Sequence, residues 1–292
     1  MTLRLGYRPP FDLGATLEFL RRRALPGIEV VDATSYSRVI TTAGSESGDE
    51  PALLRVSAWP GNENAVKLEV AGAPPIRLLG IVDRVRRMFD LDAEPNAIVD
   101  ALSSSDTLKP IVQSNPGVRL PCGWDGFELA VRAILGQQVS VSAARTMAIR
   151  LVARVGTKLT EPLAPGIDSL FPTPDALADA DLASIGLTRA RADTIRTMAR
   201  ATLDGTVDFN PGWTLEDFVS RWTSLSGIGP WTAHYLALRA LGHPNAFPAE
   251  DLVLRRAVSP EGSLITTRAM LCAAEAWRPW RAYATIHLWR QR

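Results

Sequence analysis

At 292 residues and 46% hydrophobic content, the chain is long enough to bury a sizeable core and to form two or three compact units. No apolar run approaches the roughly 20 residues that span a bilayer. The N-terminus lacks a secretory signal, so we expect a cytoplasmic protein with no membrane partner. Two cysteines exclude a disulfide framework and a four-cysteine zinc or iron–sulfur site. The three histidines lack metal-binding spacing and are interpreted as structural or surface residues.

The net charge of +1 is unevenly distributed along the chain. Residues 185–292 carry 13 arginines against 9 acidic residues, whereas residues 1–110 are slightly acidic. Lysine occurs only at positions 67, 109 and 158, so the basic residues are almost all arginine. Arginine forms bidentate contacts with phosphate, but arginine-rich helix surfaces also serve solubility. The bias therefore favours a nucleic-acid partner only slightly.

The first hundred residues mix helix and strand signals. β-branched residues with partial alternation predict strands, and longer amphipathic stretches predict helices. Turn residues in GSESGDEP and PGNEN separate the strands. We interpret the arginine run at 21–23 as a solvated helix face. The sequence predicts a small antiparallel sheet with helices on one face, forming a domain at 1–100, with strands at 37–43, 52–59 and 65–70 and helices at 14–24 and 80–89.

From residue 101 the strand signals fade and helical periodicity dominates, so residues 101–292 are predicted to form an all-helical domain. Short Gly- and Pro-containing segments separate the helices. The fold class is therefore α+β. The predicted helices are 125–136, 140–155, 174–183, 189–204, 214–225, 231–241, 251–258, 266–276 and 279–291.

The stretch LSGIGPWTAHY, within a predicted helical hairpin at 215–241, places two glycines in a tight turn before a helix. Gly227 and Gly229 permit positive φ and let another molecule approach the backbone. The turn leaves free N–H groups at the N-terminus of the second helix, including that of Thr232, where a DNA phosphate could bind. The same pattern also fits an ordinary αα-hairpin with a glycine turn. The turn alone does not decide between these interpretations.

Twenty residues beyond Trp231, a segment at 244–258 places Glu250 and Asp251 at the start of another helix. Acids in a first turn usually stabilise the helix dipole. Here the loop is short enough to bring Asp251 back toward the hairpin, whose Trp231 and Tyr235 share one helix face. Aromatic residues beside one carboxylate and a phosphate-binding turn are typical of a base-flipping site, although aromatics at helical spacing are more often core.

The motifs LSGIGPWTAHYLALR and FPAED resemble the helix-hairpin-helix/Gly-Pro-Asp superfamily of DNA glycosylases. Within it, the chain is most similar to the bacterial 3-methyladenine-DNA glycosylase II (AlkA-type) family. YRPPFD, FELAVRAILGQQVSV, FPTPDALADAD and WRPWRAYATIHLW extend the resemblance over nearly the whole chain. The resemblance implies a TATA-binding-protein-like sheet domain, followed by two helical subdomains that flank a cleft, with C-terminal helices at 266–291.

The resemblance also implies roles for individual residues. Asp251 matches the catalytic aspartate, and Trp231 stands where bifunctional relatives carry the lysine that forms a Schiff base, so we expect no β-lyase activity. The aromatic walls of the base pocket match Trp231, Tyr235 and Trp289. Gln138 matches a leucine that fills the gap left by the flipped base, which puts the efficiency of insertion in doubt. No cofactor is required, but a structural Na⁺ or K⁺ is implied at the carbonyls of Thr223, Leu225 and Ile228.

The resemblance therefore implies a monofunctional glycosylase, a monomer that removes alkylated purines from double-stranded DNA and associates with the bacterial nucleoid. Asp251 would stabilise the oxocarbenium-like sugar, as carboxylates do in glycosidases. One alternative is a non-catalytic binder of damaged or kinked DNA. Another is a related glycosylase for mismatched adenine or oxidised guanine.

Overall fold

The computed structural model describes residues 1–41, 50–61, 63–259 and 263–291. The turn predicted at GSESGDEP lies almost entirely outside the described residues, as do parts of the PGNEN and SPEG segments. None of the described helices is long and apolar enough to cross a membrane.

The N-terminal part forms one antiparallel sheet in the order β1-β5-β4-β3-β2. Its elements are β1 (Thr2–Gly6), α1 (Leu13–Arg21), β2 (Glu29–Val31), β3 (Ser35–Thr41), β4 (Pro51–Ala58), β5 (Ala65–Ala71) and α2 (Leu78–Met88), with a 3₁₀ turn at Pro75–Arg77. The three central strands are confirmed, including the buried alternation of Val66, Leu68 and Val70. The two edge strands, β1 and β2, were not predicted, because each is short and pairs on one side only. Helix α2 buries Ile81 and Val85 in the cluster that covers this sheet.

The C-terminal part is helical, which confirms the predicted fold class. One correction concerns the expectation that it is all-helical, because a two-stranded ribbon interrupts it. Strands of two residues carry no periodicity that a sequence could reveal. The elements are α3 (Pro95–Leu102), α4 (Lys109–Ser114), α5 (Gly126–Leu135), α6 (Val141–Val155), β6 (Thr157–Lys158), β7 (Ser169–Leu170), α7 (Pro174–Ala178), α8 (Arg189–Leu203), α9 (Leu215–Thr223), α10 (Pro230–Arg239), α11 (Leu252–Ala257), α12 (Thr267–Ala274) and α13 (Arg281–Trp289), with 3₁₀ turns at Ala183–Ile185 and Glu275–Trp277.

The predicted helices from residue 125 onward correspond to α5 to α13, although α7 is much shorter than predicted. Helices α3 and α4 were not predicted. The expected boundary at residue 100 falls inside α3, and the buried side chains of Ile98 and Leu102 belong to the core of the helical part. The apolar face of α3 thus packs with helices of the C-terminal part, in a cluster that also includes Leu25, Ile28 and Val39 of the N-terminal part.

A buried ionic network joins the sheet to the helical part. Arg38 on β3 contacts Glu128 on α5 at 2.8 Å, and Arg132 contacts Glu128 at 2.8 Å and Glu29 at 3.1 Å. The Tyr36 hydroxyl donates to the Glu29 carboxylate at 2.6 Å. Two acids thus balance two arginines in a dry setting, where breaking one pair leaves an uncompensated charge.

Asp90 connects three distant parts of the chain just beyond α2. Its carboxylate accepts hydrogen bonds from the Leu120 amide at 3.1 Å and from the Tyr283 hydroxyl at 2.8 Å. Its backbone has φ of 52°, a conformation that asparagine also tolerates. Burial raises the pKa of Asp90 from 3.8 to about 6, although both hydrogen bonds oppose the shift.

We predict that Asp90→Asn removes a pH-dependent loss of stability. A raised pKa means that the folded wild type holds its proton up to about pH 6, whereas the unfolded chain releases it near pH 3.8. The stability that protonated Asp90 contributes to the folded state is therefore fully present at low pH and is lost as pH rises through 6. Relative to wild type, the free energy of unfolding of Asp90→Asn should gain on the order of 3 kcal/mol between pH 4 and pH 7. Urea unfolding of both proteins checks this, and parallel pH curves would contradict it.

Candidate active site

A cleft of about 450 Å³ lies between the sheet domain and the helical part. Its walls include the indole and phenol side chains of Trp231, Tyr235 and Trp289 together with the carboxylate of Asp251. Helices α10, α11 and α13 thus bring four of the predicted site residues together. Charged side chains also line the cleft, among them Arg23 and Arg239. Aromatic walls with convergent polar groups are typical of ligand sites.

Asp251 is fixed by three hydrogen bonds. It caps the N-terminus of α11, where its Oδ1 accepts from the amides of Val253 at 2.8 Å and Leu254 at 3.1 Å. Its Oδ2 accepts from the indole Nε1 of Trp231 at 3.0 Å. The sequence suggested either a helix-terminal charge or a residue folded back toward the hairpin, and the structure shows both at once. The cap sets the position of the carboxylate, and the indole sets its orientation.

The aromatic side chains form one continuous wall. Trp231 and Tyr235 lie one turn apart on α10, and their rings stack with centroids 5.3 Å apart and planes 16° apart. Trp289 on α13 lies 6.1 Å from Tyr235, with its ring tilted by 46°. A planar base could stack against such a surface.

The glycine turn joins α9 to α10, and the lack of a side chain has a different consequence at each of its two glycines. Gly227 has φ of 86°, and a Cβ there would lie 2.0 Å from the Oγ1 of Thr194 on α8. Gly227 therefore serves backbone conformation and packing, a reason that the sequence could not reveal. A Cβ at Gly229 would meet nothing within 4 Å, so the backbone there is open to an approaching molecule.

A glutamine that the sequence analysis missed links the hairpin to the neighbouring loop. The side-chain amide of Gln137 donates to the Gly227 carbonyl at 2.9 Å and to the Thr232 hydroxyl at 3.1 Å. Thr232 is buried, and its hydroxyl already accepts from Gln137, so the phosphate contact expected at its backbone amide stays a prediction. The GQQVSV motif marked the loop, but nothing in it distinguished the roles of its two glutamines.

Gln138 stands at the exposed tip of this loop. Its φ is 57°, which is uncommon for a residue with a side chain. Exposed Val139 and Val141 flank it, and both also line the cleft. Gln138, which is predicted to fill the gap left by the flipped base, therefore lies at the mouth of the cleft rather than inside it.

Glu250 caps the hairpin helix. Its Oε2 accepts from the backbone amide of Trp231 at 3.1 Å, while the carboxylate itself is exposed. The sequence predicted no role for Glu250 beyond its place next to Asp251. One amide at the N-terminus of α10 is thus already occupied by a negative charge from the protein.

The arginine run at 21–23 divides between the surface and the cleft. Arg21 and Arg22 pair with Glu18 at 2.7 and 2.8 Å and are largely exposed. Arg23 instead turns inward, where its guanidinium lies 3.7 Å from the centroid of the Phe19 ring and lines the cleft. Arg22 is largely exposed but also lines the cleft. The interpretation as a solvated face therefore holds for Arg21 and in part for Arg22, and it is wrong for Arg23.

No cluster of His, Cys, Asp and Glu within the described ranges could hold a metal ion. Burial lowers the pKa of both His234 and His287 to about 4, so both are neutral at physiological pH. Cys122 is buried and Cys272 is exposed, and neither forms a disulfide.

Comparisons with known proteins agree with this architecture. Residues 2–125 match the AlkA N-terminal domain, and residues 131–282 match the HhH-GPD superfamily of base excision DNA repair proteins. The chain is 37% identical over 99% of its length to a probable bifunctional transcriptional activator/DNA repair enzyme AlkA of Mycobacterium tuberculosis, but spans only 56% of that relative. It is 32% identical to DNA-3-methyladenine glycosylase 2 of Escherichia coli, covering 98% of this chain and 95% of that protein.

Solved structures show the same fold. A 3-methyladenine DNA-glycosylase from Archaeoglobus fulgidus superposes with a TM-score of 0.83, at 23% identity over 99% of this chain and 97% of its own. An 8-oxoguanine glycosylase/lyase from Clostridium acetobutylicum reaches a TM-score of 0.66, at 15% identity over 92% and 98% of the two chains. The chain therefore belongs to the HhH-GPD superfamily of base excision DNA repair proteins and has an AlkA-type N-terminal domain, as these matches show together with its glycine hairpin and its capped Asp251.

Proposed function

We propose that this protein is a monofunctional DNA glycosylase that flips alkylated purines out of duplex DNA and hydrolyses the N-glycosidic bond. The observation that carries the proposal is the Asp251 carboxylate held 3.0 Å from the Trp231 indole at an aromatic cleft. The relatives named as DNA-3-methyladenine glycosylases support the same substrate class.

The hairpin would hold a DNA phosphate through backbone amides. Gly227 and Gly229 are exposed, and the open space at Gly229 admits a close approach. Amides at a helix N-terminus attract phosphate without reading sequence. The DNA is double-stranded, and the protein acts as a monomer.

A monovalent cation would fit the same turn. The carbonyls of Thr223 and Ile228 accept no hydrogen bond from any described residue, and Leu225 accepts one from the Ile228 amide. Oxygen donors of this kind suit Na⁺ or K⁺. The ion would add positive charge beside the phosphate.

Gln138 would enter the base stack while the damaged nucleotide rotates into the cleft. A purine alkylated at N3 or N7 is cationic, so its electron-poor ring should stack on the wall formed by Trp231, Tyr235 and Trp289. Base–aromatic stacking contributes about 1–3 kcal/mol per base. The stacking surface is tolerant, so selectivity arises largely from the lability of the glycosidic bond.

Asp251 would then stabilise the oxocarbenium-like sugar as the base departs. The cationic base is a good leaving group and requires no general acid. The C1′–N bond breaks with its electron pair on the base, which leaves neutral, and a water oxygen bonds to C1′ and releases one proton to solvent. Carboxylates act in the same way in glycosidases.

We expect no β-lyase activity, because Schiff-base formation requires an amine. Trp231 occupies the position that the resemblance assigns to the lysine of bifunctional relatives. The lysines of this chain, Lys67, Lys109 and Lys158, are not among the residues that line the cleft.

We predict that Asp251→Asn lowers base release from methylated duplex DNA by about two to three orders of magnitude, since the charge opposite the sugar is lost. Released bases are measured for wild type and variant, and strand breaks are scored before and after alkali. Breaks that appear only after alkali support a monofunctional enzyme. Binding to abasic duplex should survive in the variant. Undiminished release by Asp251→Asn would refute the assignment, and tight binding without release by wild type would support a non-catalytic binder.

Glu250→Gln is predicted to strengthen DNA binding about threefold at low salt, because the amide can still cap α10 without repelling phosphate. The dissociation constant for abasic duplex is measured at two salt concentrations, and the gain should shrink at the higher one. Glu63→Gln, a charge change in the sheet domain, serves as the control. Weaker binding by Glu250→Gln would show that the carboxylate supports the hairpin rather than opposing DNA.

Replacing Gln138 should change the rate of base flipping separately from the rate of bond hydrolysis. Gln138→Ala is predicted to slow base flipping on the order of tenfold, because nothing then fills the gap in the stack, whereas Gln138→Leu should restore or exceed the wild-type rate. Stopped-flow fluorescence of 2-aminopurine beside the lesion follows the flipping step. Equal rates for all three proteins would remove Gln138 from the mechanism.

A further inference from the structure

Two arginines meet one tyrosine inside the cleft. Arg239 Nη1 donates to the Tyr235 hydroxyl at 3.1 Å, and its side chain is only 3% exposed. Arg23 comes from the end of α1, and the guanidiniums of both arginines lie over the Phe19 ring, at 3.7 Å for Arg23 and 4.6 Å for Arg239. Both arginines line the cleft that also contains Asp251.

These two positive charges are not neutralised within the described part of the chain. No carboxylate there lies within 4.0 Å of Arg23 or Arg239, and the nearby acids, Glu29 and Glu128, are already paired with two other arginines. Burial raises the pKa of Tyr235, but Arg239 and Arg23 outweigh it and bring the pKa below its usual value. Burial lowers the pKa of Arg23 to about 10, so the residue stays cationic at neutral pH.

The Arg23 guanidinium also retains unused donors. It has five N–H groups, of which one on Nη1 donates to the Phe19 carbonyl at 3.1 Å and another can serve Tyr235. Arg239 is more fully engaged, because its Nε donates to the Pro121 carbonyl. Arg23 is therefore the residue with hydrogen bonds to offer a ligand.

Such a site distinguishes bases by charge and by acceptor. A cationic base is repelled by Arg23, whereas a neutral base with a carbonyl oxygen receives a charge-assisted hydrogen bond. When the C1′–N9 bond of a neutral purine breaks, its electron pair moves into the base and negative charge develops on that oxygen. Water supplies the oxygen that bonds to C1′, and one water proton ends on the base. A guanidinium beside the oxygen thus stabilises a poor leaving group.

Building on the proposed glycosylase activity, we propose that Arg23 determines specificity for neutral damaged bases that carry an exocyclic carbonyl, with hypoxanthine as the simplest purine of this class. The cleft would then process two substrate classes by different means: cationic bases through their own lability, and neutral carbonyl bases through Arg23.

Single-turnover release of three bases from duplex DNA tests this inference. Hypoxanthine is neutral with a carbonyl, ethenoadenine is neutral without one, and 3-methyladenine is a cation without one. Arg23→Gln should lower hypoxanthine release at least about tenfold, the size of one lost charge-assisted hydrogen bond. Ethenoadenine release should change less than about twofold, and 3-methyladenine release should stay equal or rise.

Two further variants keep the test decisive. Arg21→Gln removes an arginine from the same run that faces solvent, and it should change none of the three rates. Arg23→Lys retains the charge without the planar fork, so its ratio of hypoxanthine to 3-methyladenine release should lie between those of wild type and Arg23→Gln. Melting temperatures identify any variant that has lost its fold, and Arg23→Lys carries the test if Arg23→Gln has.

Different experimental results would contradict the role of Arg23 and the proposed glycosylase function. If wild type releases 3-methyladenine but no hypoxanthine, or if Arg23→Gln slows all three bases equally, Arg23 does not determine specificity. If wild type releases none of the three bases, the glycosylase proposal itself fails.

Discussion

The geometry of the cleft depends on the buried ionic network between Arg38, Glu128, Arg132 and Glu29. It ties β2 and β3 of the sheet to α5 of the helical part, and its members line the cleft. Because every charge in it has a partner of opposite sign, the pairs repay the cost of desolvation only while both halves stay in register. The interface between the two parts is therefore specified by charge as well as by apolar packing.

The same network positions the end of α1. Arg132 donates to the carbonyl of Arg23, and Arg145 donates to the carbonyl of Ala24 at 2.7 Å. These bonds anchor the backbone where the chain leaves the helix, and the Arg23 side chain projects into the cleft from that point. A neutral network thus supports an unbalanced positive charge beside Tyr235. The fold separates the structural arginines from the arginine that is free to meet a ligand.

At the other end of the cleft, Asp251 combines structure and chemistry in one side chain. Capping α11 and accepting from Trp231 engage both carboxylate oxygens. The carboxylate is thereby oriented before any substrate arrives, so in the proposed mechanism little reorganisation would accompany charge development on the sugar. Glu250 contributes by capping α10, which links the two helices that carry the aromatic wall and the acid.

The sequence by itself determined the class of the fold, the three central strands, most helices, and the order in which the glycine hairpin, Trp231 and Asp251 follow one another. These features follow from local periodicity, turn residues and fixed spacing, which a single chain displays directly. The roles of Gln138 and of the carbonyls at Thr223, Leu225 and Ile228 remain predictions.

Only the tertiary structure decided that Arg23 turns inward, that Gly227 must lack a side chain because of Thr194, and that Gln137 braces the hairpin. It likewise placed α3 in the helical core and added the ribbon of β6 and β7. Each of these outcomes depends on partners far away in sequence, so no local pattern encodes them. Adjacent arginines can be identical in sequence and still differ in burial, because packing across the domain interface, rather than propensity, decides how far each one meets solvent.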